Sequence, residues 1–287
     1  MHPNAQLEAI TICNGNVAFD QQVENALYTV EQAGRSDVPV YPGCARPLVA
    51  EPVDAAYVHG EDGMGDSFFP KARRRAQPQH AVDELVRRVR ESPGELTILA
   101  QAPLTNIAAA VVRDPSFARN LKALYVMGGG MGNITPAAEF NFYVDPEAAK
   151  IVFKAGFAIT LFTWTLTLSH GVFYDDDLAR IDAVDTDLAR FYRQVTRKAE
   201  EFERRMGVPG TTHPDSMAAA AIVEPSLVRK TREVHVDVET QGELTRGFSA
   251  IDVLGSTGNE PNCTLVEDYD TQGFLELFLG ILGAPGT

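Results

Sequence analysis

The sequence has little cysteine, no long apolar run and a deficit of positive charge, and each shortage excludes a class of protein. Cys13, Cys44 and Cys263 are widely separated, so a disulfide scaffold or a structural zinc site is disfavoured and a reducing cytoplasm is expected. No apolar run approaches the roughly 18 residues that span a bilayer, and residues 1–6 do not resemble a signal peptide. The net charge of -14 argues against nucleic acid or an anionic membrane as a partner.

What the sequence does contain is an alternation of short apolar segments with helical periodicity. This alternation predicts an α/β fold, namely an open and mostly parallel sheet with helices on both faces, in a single domain over residues 1–287. We expect strands at 7–12, 38–41, 96–100, 121–126, 158–162, 233–239 and 248–254. We expect helices from a cap at Asp20 to near Gly34, at 81–90 and 103–112, from a cap at Asp145 to Gly156, and at 187–206, 215–223 and 271–282.

The segment from Met127 to Asn141 follows a predicted strand and combines glycines with polar side chains. Asn133, Glu139 and Asn141 lie in a loop before the helix that Asp145 caps. Amides and a carboxylate at the carboxyl end of a strand suit a ligand with many hydroxyl groups, such as a sugar. A turn does not need three such side chains, so we favour ligand contact for them.

Two alternatives concern the other loops. Asn14-Gly15-Asn16 follows the first predicted strand and, taken alone, is better explained as a turn. The glycine run 128–132 suggests a dinucleotide fold, but the final glycine of G-x-G-x-x-G is missing and a proline-containing loop follows. An oxidoreductase is therefore disfavoured.

Five motifs together resemble the inosine-uridine-preferring nucleoside hydrolases. That resemblance implies hydrolysis of the N-glycosidic bond of ribonucleosides to ribose and free base. It also implies a calcium ion that holds the nucleophilic water and the ribose 2′- and 3′-hydroxyls, a hard-cation role that oxygen ligands support. The motifs are Asn14-Gly15-Asn16, His59-Gly60-Glu61-Asp62-Gly63-Met64-Gly65, Ala102-Pro103-Leu104-Thr105-Asn106, the segment 127–149, and Gly242-Glu243-Leu244-Thr245-Arg246-Gly247.

The resemblance also implies roles for seven residues. Two of these roles have plainer alternatives, since His59 is equally well explained as a surface loop histidine and Asp215 as the N-cap of a helix over 216–223. The implied roles are calcium ligation by Asp215 and by the Val126 carbonyl, ribose contacts by Asn16, Asn133, Glu139 and Asn141, and a catalytic position near the base for His59.

One family motif is absent from the sequence. The family's D-x-D-x-x-x-D-D, which supplies two calcium ligands and the general base, has no match here. We therefore expect a chain truncated at its N-terminus, lacking its first strand and inactive as written. The alternatives are a non-catalytic nucleoside- or ribose-binding relative and a structural paralogue kept for oligomerisation. The retained Asp215, Glu139, Asn133 and Asn141 argue against the last.

The sequence leaves the base preference open. Some family members carry a histidine directly before the late aspartate, where this chain has Pro214, with His213 one residue earlier. His213 is either a displaced acid or, in the favoured interpretation, a loop residue. Trp164 could stack on a base but is more often a core or wall residue, and Thr165 stands where members often have an acidic residue. We expect a homo-oligomer, either a dimer or a tetramer.

Overall fold

The strands form one central sheet and two small ones in the computed structural model, which describes residues 2–284. The central sheet has the order β3-β4-β5-β10-β8-β9. Its first four strands are parallel, whereas β8 runs antiparallel to β10 and β9 antiparallel to β8. The strands are β1 (Ile10–Ile12), β2 (Val40–Pro42), β3 (Thr97–Ala100), β4 (Ala123–Met127), β5 (Ile159–Phe162), β6 (Val172–Tyr174), β7 (Gly210–Thr212), β8 (Val228–Val238), β9 (Ser249–Asp252) and β10 (Cys263–Tyr269).

Helices cover both faces of this sheet, as two separate apolar cores show. One core joins β4 and β8 to α3, α4 and α7, and the other joins β5 and β10 to α8, α11 and α12. The predicted α/β class is confirmed, with a mixed sheet. The helices are α1 (Phe19–Gln32), α2 (Ala56–His59), α3 (Ala81–Glu91), α4 (Thr105–Arg113), α5 (Phe117–Asn120), α6 (Phe140–Val144), α7 (Pro146–Lys154), α8 (Trp164–His170), α9 (Asp175–Asp182), α10 (Asp187–Arg205), α11 (Pro214–Val223) and α12 (Thr271–Leu282).

Side-chain caps explain where several helices begin. Asp145 accepts a hydrogen bond from the Ala148 N–H, and Pro146 takes the first helical position of α7, as the sequence predicts. Thr186 caps α10 and Asp270 caps α12 in the same way. Helix α1, in contrast, begins at Phe19 after Ala18 and not after a cap at Asp20, so that prediction is wrong.

Strand β10 is the central strand that the sequence does not predict, and the small strands β6 and β7 are not predicted either. Strand β10 lies between β5 and β8 in the middle of the sheet, with Thr264 opposite Thr160 and Cys263 opposite Val234. Glu267 and Asp268 interrupt its apolar pattern, and its register with β8 shifts there. The strands predicted at 7–12 and 248–254 are shorter in the structure, whereas the one predicted at 233–239 extends back to residue 228.

Strands β1 and β3 each have one edge without a strand partner within residues 2–284. Strand β1 pairs only with β2, and β3 pairs only with β4. The carboxyl ends of β1 and β3 nevertheless lie close together, because the Asn106 side chain donates to the Ile12 carbonyl at 3.0 Å and accepts from the Cys44 N–H at 2.9 Å. The absence of a first strand stays a prediction. No helix in the described part of the chain has the length and apolar character that crossing a membrane requires.

Candidate active site

A loop of glycines follows β4 and is held by side chains from three other elements. Gly129 and Gly130 have φ of 68° and 83°, a region in which other residues are strained. Three consecutive N–H groups, which a phosphate loop would leave free for its ligand, are occupied by protein oxygens here. They are the N–H of Gly129 on Glu139 Oε2 at 2.9 Å, of Gly130 on Ser249 Oγ at 2.8 Å, and of Met131 on Thr165 Oγ1 at 2.9 Å.

Glu139 lies between this loop and the start of α6 and is 2 % exposed. Besides the Gly129 N–H, its carboxylate accepts the N–H groups of Asn141 at 3.0 Å and Phe142 at 3.3 Å. Burial raises the pKa of Glu139 to about 7, although the three amides act in the opposite direction. A buried carboxyl group that titrates near neutrality is a feature of functional sites.

Asn141 and Asn133 flank this carboxyl group. Asn141 is buried, and its Nδ2 donates to the Met127 carbonyl at 3.2 Å. Its Oδ1 accepts no hydrogen bond from any described residue, so this oxygen is available to a ligand. Asn133 is exposed, and its Oδ1 accepts the Phe140 N–H at 2.8 Å. Asn133 therefore shapes the loop and leaves its Nδ2 for other contacts.

Asp215 is the second residue of α11, close to the same end of the sheet. Surrounding protein atoms, and after them the Glu139 carboxylate, raise the pKa of Asp215 to about 7. The residue is nevertheless exposed to solvent. Its backbone carbonyl accepts from Gln101 Nε2 at 2.8 Å. The helix begins at Pro214 after His213, so the interpretation of Asp215 as an N-cap is wrong.

Asn16 and His59 form a second group. The Asn16 carbonyl accepts the Ala55 N–H at 2.7 Å, which ties Asn16 to the segment that ends in His59, the last residue of α2. Both residues are half-buried, and burial lowers the pKa of His59. No hydrogen bond within residues 2–284 joins Asn16 or His59 to Asn133, Glu139, Asn141 or Asp215.

The described residues do not fit a complete calcium site. They contain no group of three or more histidine, cysteine, aspartate or glutamate residues that could hold a metal ion. Both oxygens of Glu139 are engaged by amides, which leaves Asp215 as the carboxylate open to a cation. Val126 is fully buried inside β4, between Ala100 and Leu161 of the neighbouring strands. Calcium takes about 6–8 oxygen ligands, so no step of the reaction is assigned to it.

His213 is not placed as an acid for a leaving base. It is 4 % exposed and packs on the Phe173 ring at 4.1 Å between centroids. Its Nε2 lies 2.5 Å from the Tyr192 hydroxyl, and burial lowers the pKa of His213 to about 4. The ring is therefore neutral at pH 7. Trp164 is the first residue of α8. Its backbone N–H donates to the Gly129 carbonyl at 2.9 Å, which helps to fix the glycine loop.

The sheet order, the glycine loop held by Glu139, Ser249 and Thr165, and the polar groups at the carboxyl ends of the strands are those of an α/β protein, a class in which ligands bind at this end of the sheet. Residues 1–276 match the family described as inosine-uridine preferring nucleoside hydrolase, and the chain belongs to that family. The resemblance inferred from the sequence is thereby confirmed. Members of the family and the solved structures similar to this chain are nucleoside hydrolases, that is, N-glycosidases.

Several relatives resemble the chain over almost its whole length. The pyrimidine-specific ribonucleoside hydrolase RihA of Shewanella woodyi is 36% identical over 273 residues, which are 94% of this chain and 87% of the relative. RihA of Citrobacter koseri is 35% identical over 279 residues, 96% of this chain and 89% of the relative. Among solved structures, the plant nucleoside hydrolase PpNRh1 superposes with a TM-score of 0.91 at 30% identity, covering 99% of this chain and 92% of that one. The purine-preferring ribonucleoside hydrolase of Gardnerella vaginalis superposes with a TM-score of 0.90 at 27% identity, covering 98% of this chain and 91% of that one.

Proposed function

We propose that this protein hydrolyses the N-glycosidic bond of ribonucleosides to ribose and free base. The observation that carries the proposal is that Glu139 and Asn141 beside the glycine loop, and Asp215 at the start of α11, lie at the same end of the sheet. Two carboxyl groups with raised pKa values and the free Oδ1 of Asn141 suit the hydroxyl groups of a ribose. The family membership supports the same reaction.

We infer the roles from the family resemblance together with the position of each side chain. Asn141 Oδ1 accepts a ribose hydroxyl, and Asn133 and Asn16 contact the sugar from the two groups described above. Glu139 holds the glycine loop beside the sugar. Asp215 takes the position nearest the reacting water, where a carboxylate would also favour the positive charge of an oxocarbenium-like transition state. His59, on α2, takes the side of the leaving base.

The substrate class can be narrowed by the relatives. The RihA proteins that are 34–36% identical to this chain are named pyrimidine-specific, whereas the structurally similar Gardnerella enzyme is named purine-preferring at 27% identity. We therefore propose uridine and cytidine as substrates. The cytoplasmic location and the homo-oligomer remain proposals, as does calcium assistance.

A second candidate function is nucleoside binding without turnover. It is favoured by one observation, namely that no group of three or more ligating side chains occurs among the described residues and that, of the two site carboxylates Glu139 and Asp215, Glu139 is engaged by amides. A cation that takes about 6–8 oxygens needs more ligands than that. If binding without turnover is the function, the chain should bind uridine and release ribose at the background rate, even with calcium present.

The test is ribose release from uridine, cytidine and inosine, measured with a reducing-sugar assay. The proposed hydrolysis predicts release above the background rate, and faster release from uridine and cytidine than from inosine. Asp215→Asn should lower this rate by about 10²-fold or more. Asp176→Asn is the matched control, because Asp176 is also the second residue of a helix and is exposed. Release at the background rate by a chain that binds uridine would favour the binding function, and turnover insensitive to Asp215→Asn would refute the site.

A further inference from the structure

Helix α10 contacts the segment that carries His59. The Arg197 guanidinium donates to the Gly65 carbonyl at 3.0 Å, and Lys198 Nζ lies 3.1 Å from the Asp66 carboxylate. The two backbones are so close that a Cβ at Gly65 would lie 2.3 Å from the Gln194 carbonyl oxygen. The segment after His59 is therefore fixed against one side of α10.

The same helix holds the turn that precedes Asp215. The Tyr192 hydroxyl lies 2.5 Å from His213 Nε2. Near the C-terminal end of α10, the Glu203 carboxylate accepts hydrogen bonds from the Thr212 N–H at 3.1 Å and from the Thr212 hydroxyl. Thr212 and His213 are the residues directly before Pro214, at which α11 begins. Both residues that precede the helix are thus attached to α10 through side chains.

These attachments lie in a closed, water-poor environment. Glu203 is 8 % exposed and His213 4 %, and the rings of Phe173 and Phe278 pack on His213 at 4.1 and 5.5 Å between centroids. Hydrogen bonds in such surroundings fix direction as well as distance. The Asp215 carboxylate has no hydrogen-bond partner of its own within residues 2–284, so its position depends on the turn that carries it.

We propose that α10 positions Asp215, with Tyr192 acting through His213 and Glu203 acting through Thr212. Because α10 also holds the segment after His59, it sets the distance between the two groups of site residues. The inference rests on the proposed function in one respect, namely that Asp215 acts on the nucleoside. Neither Tyr192 nor Glu203 touches the substrate, so both are positioning residues, which support a functional side chain through packing and hydrogen bonds.

The first experiment is amide hydrogen exchange on the 287-residue chain. Tyr192→Phe removes the hydroxyl and keeps the ring. We expect exchange to become about tenfold faster at the amides of residues 212–217, which include the Met217 N–H bonded to the His213 carbonyl, and to stay unchanged elsewhere. Glu203→Gln should act on the same amides. Tyr28→Phe is the matched control, since Tyr28 stacks on Phe69 and contacts Phe191 of α10 through its ring.

A double variant separates positioning from stability. Tyr192→Phe combined with His213→Phe replaces both partners by apolar rings, which should return the melting temperature close to that of the parent, since removing both polar partners is nearly neutral. The fast exchange at residues 212–217 should persist, because the directional contact is gone. If the exchange recovers together with the melting temperature, the role is merely structural. If exchange changes uniformly or not at all in Tyr192→Phe, the inference is refuted.

Uridine affinity, measured by calorimetry on the same variants, tells the two proposals apart. If Asp215 acts on the nucleoside, Asp215→Asn and Tyr192→Phe should both weaken uridine binding, and Tyr28→Phe should not. A local change in exchange with unaltered uridine affinity in Asp215→Asn would uphold the positioning of Asp215 and refute its part in the proposed function. Weaker uridine binding in Asp215→Asn, without a local change in exchange in Tyr192→Phe, would uphold the part of Asp215 in the proposed function and refute its positioning by α10.

Discussion

Replacing Glu139 by glutamine should change how the stability of the fold depends on pH. Burial raises the pKa of Glu139 from 4.5 to about 7. The folded chain therefore keeps this proton over a pH interval in which the unfolded chain has released it. It follows that the carboxyl group lowers the free energy of unfolding as the pH rises from about 4.5 to 7, and that its effect is constant above that interval.

The magnitude follows from the same shift. A difference of roughly 2.5 pKa units at about 1.4 kcal/mol per unit amounts to about 3 kcal/mol. Glutamine cannot ionise, so Glu139→Gln should gain about 3 kcal/mol relative to the parent chain between pH 4.5 and pH 8. Its amide NH₂ group faces the N–H groups of Gly129 or Asn141, which should cost about 1–3 kcal/mol at every pH. Removing the negative charge of Glu139 also relieves its repulsion of the Asp215 carboxylate. This second effect likewise stabilises Glu139→Gln relative to the parent as the pH rises.

Urea unfolding of both proteins at pH 5 and pH 8 measures this difference. We expect Glu139→Gln to be less stable than the parent at pH 5 and to draw level with it or overtake it at pH 8. Glu239→Gln is the control, because the N–H groups of Gln241 and Gly242 lower the pKa of Glu239. Glu239 is therefore ionised in the folded chain at pH 5 and at pH 8, and the difference in stability between Glu239→Gln and the parent should be nearly the same at both pH values. If the difference in unfolding free energy between Glu139→Gln and the parent is the same at both pH values, the reasoning is refuted.

Three further predictions concern the glycine loop and the sheet edges. Gly130→Ala should lose about 1–3 kcal/mol of unfolding free energy in urea, because φ is 83° and the added Cβ would lie 2.7 Å from Thr163 Cβ; an unchanged midpoint would contradict this. Ser249→Ala removes the acceptor of the half-buried Gly130 N–H and should cost about 1 kcal/mol in the same assay. The unpaired edges of β1 and β3 should cause association that rises with concentration in sedimentation velocity, and Thr11→Lys on β1 should reduce it.

The elements that sequence alone located are those with local signals. The Asp145-Pro146 start of α7 and the apolar helix α12, whose predicted limits of 271–282 are the observed ones, depend on caps and periodicity within a few residues. Strand β10 depends instead on partners about 30 and 100 residues away in the chain, and Glu267 and Asp268 hide its pattern. Non-local pairing leaves no such local signal, which is why the order of the sheet could not be predicted.

The candidate site divides in a similar way. Glu139, Asn141 and Asp215 were found through their motifs, and the structure brings Glu139 close enough to Asp215 to raise its pKa. The support that α10 gives to residues 212–213 cannot be inferred from the sequence, because most of the side chains along this helix are charged or polar. Tyr192 and Glu203 face inward from that helix, and nothing in the spacing of the sequence distinguishes them from their exposed neighbours.

The most direct test of the central claim is a crystal structure of the 287-residue chain soaked with uridine. We expect the ribose within hydrogen-bond distance of the Asp215 carboxylate and of Asn141 Oδ1, with the base directed toward His59. A uridine bound elsewhere, for example in the cavity of about 120 Å³ between α1 and residues 62–70 that Gln21 and Phe69 help to line, would contradict the account.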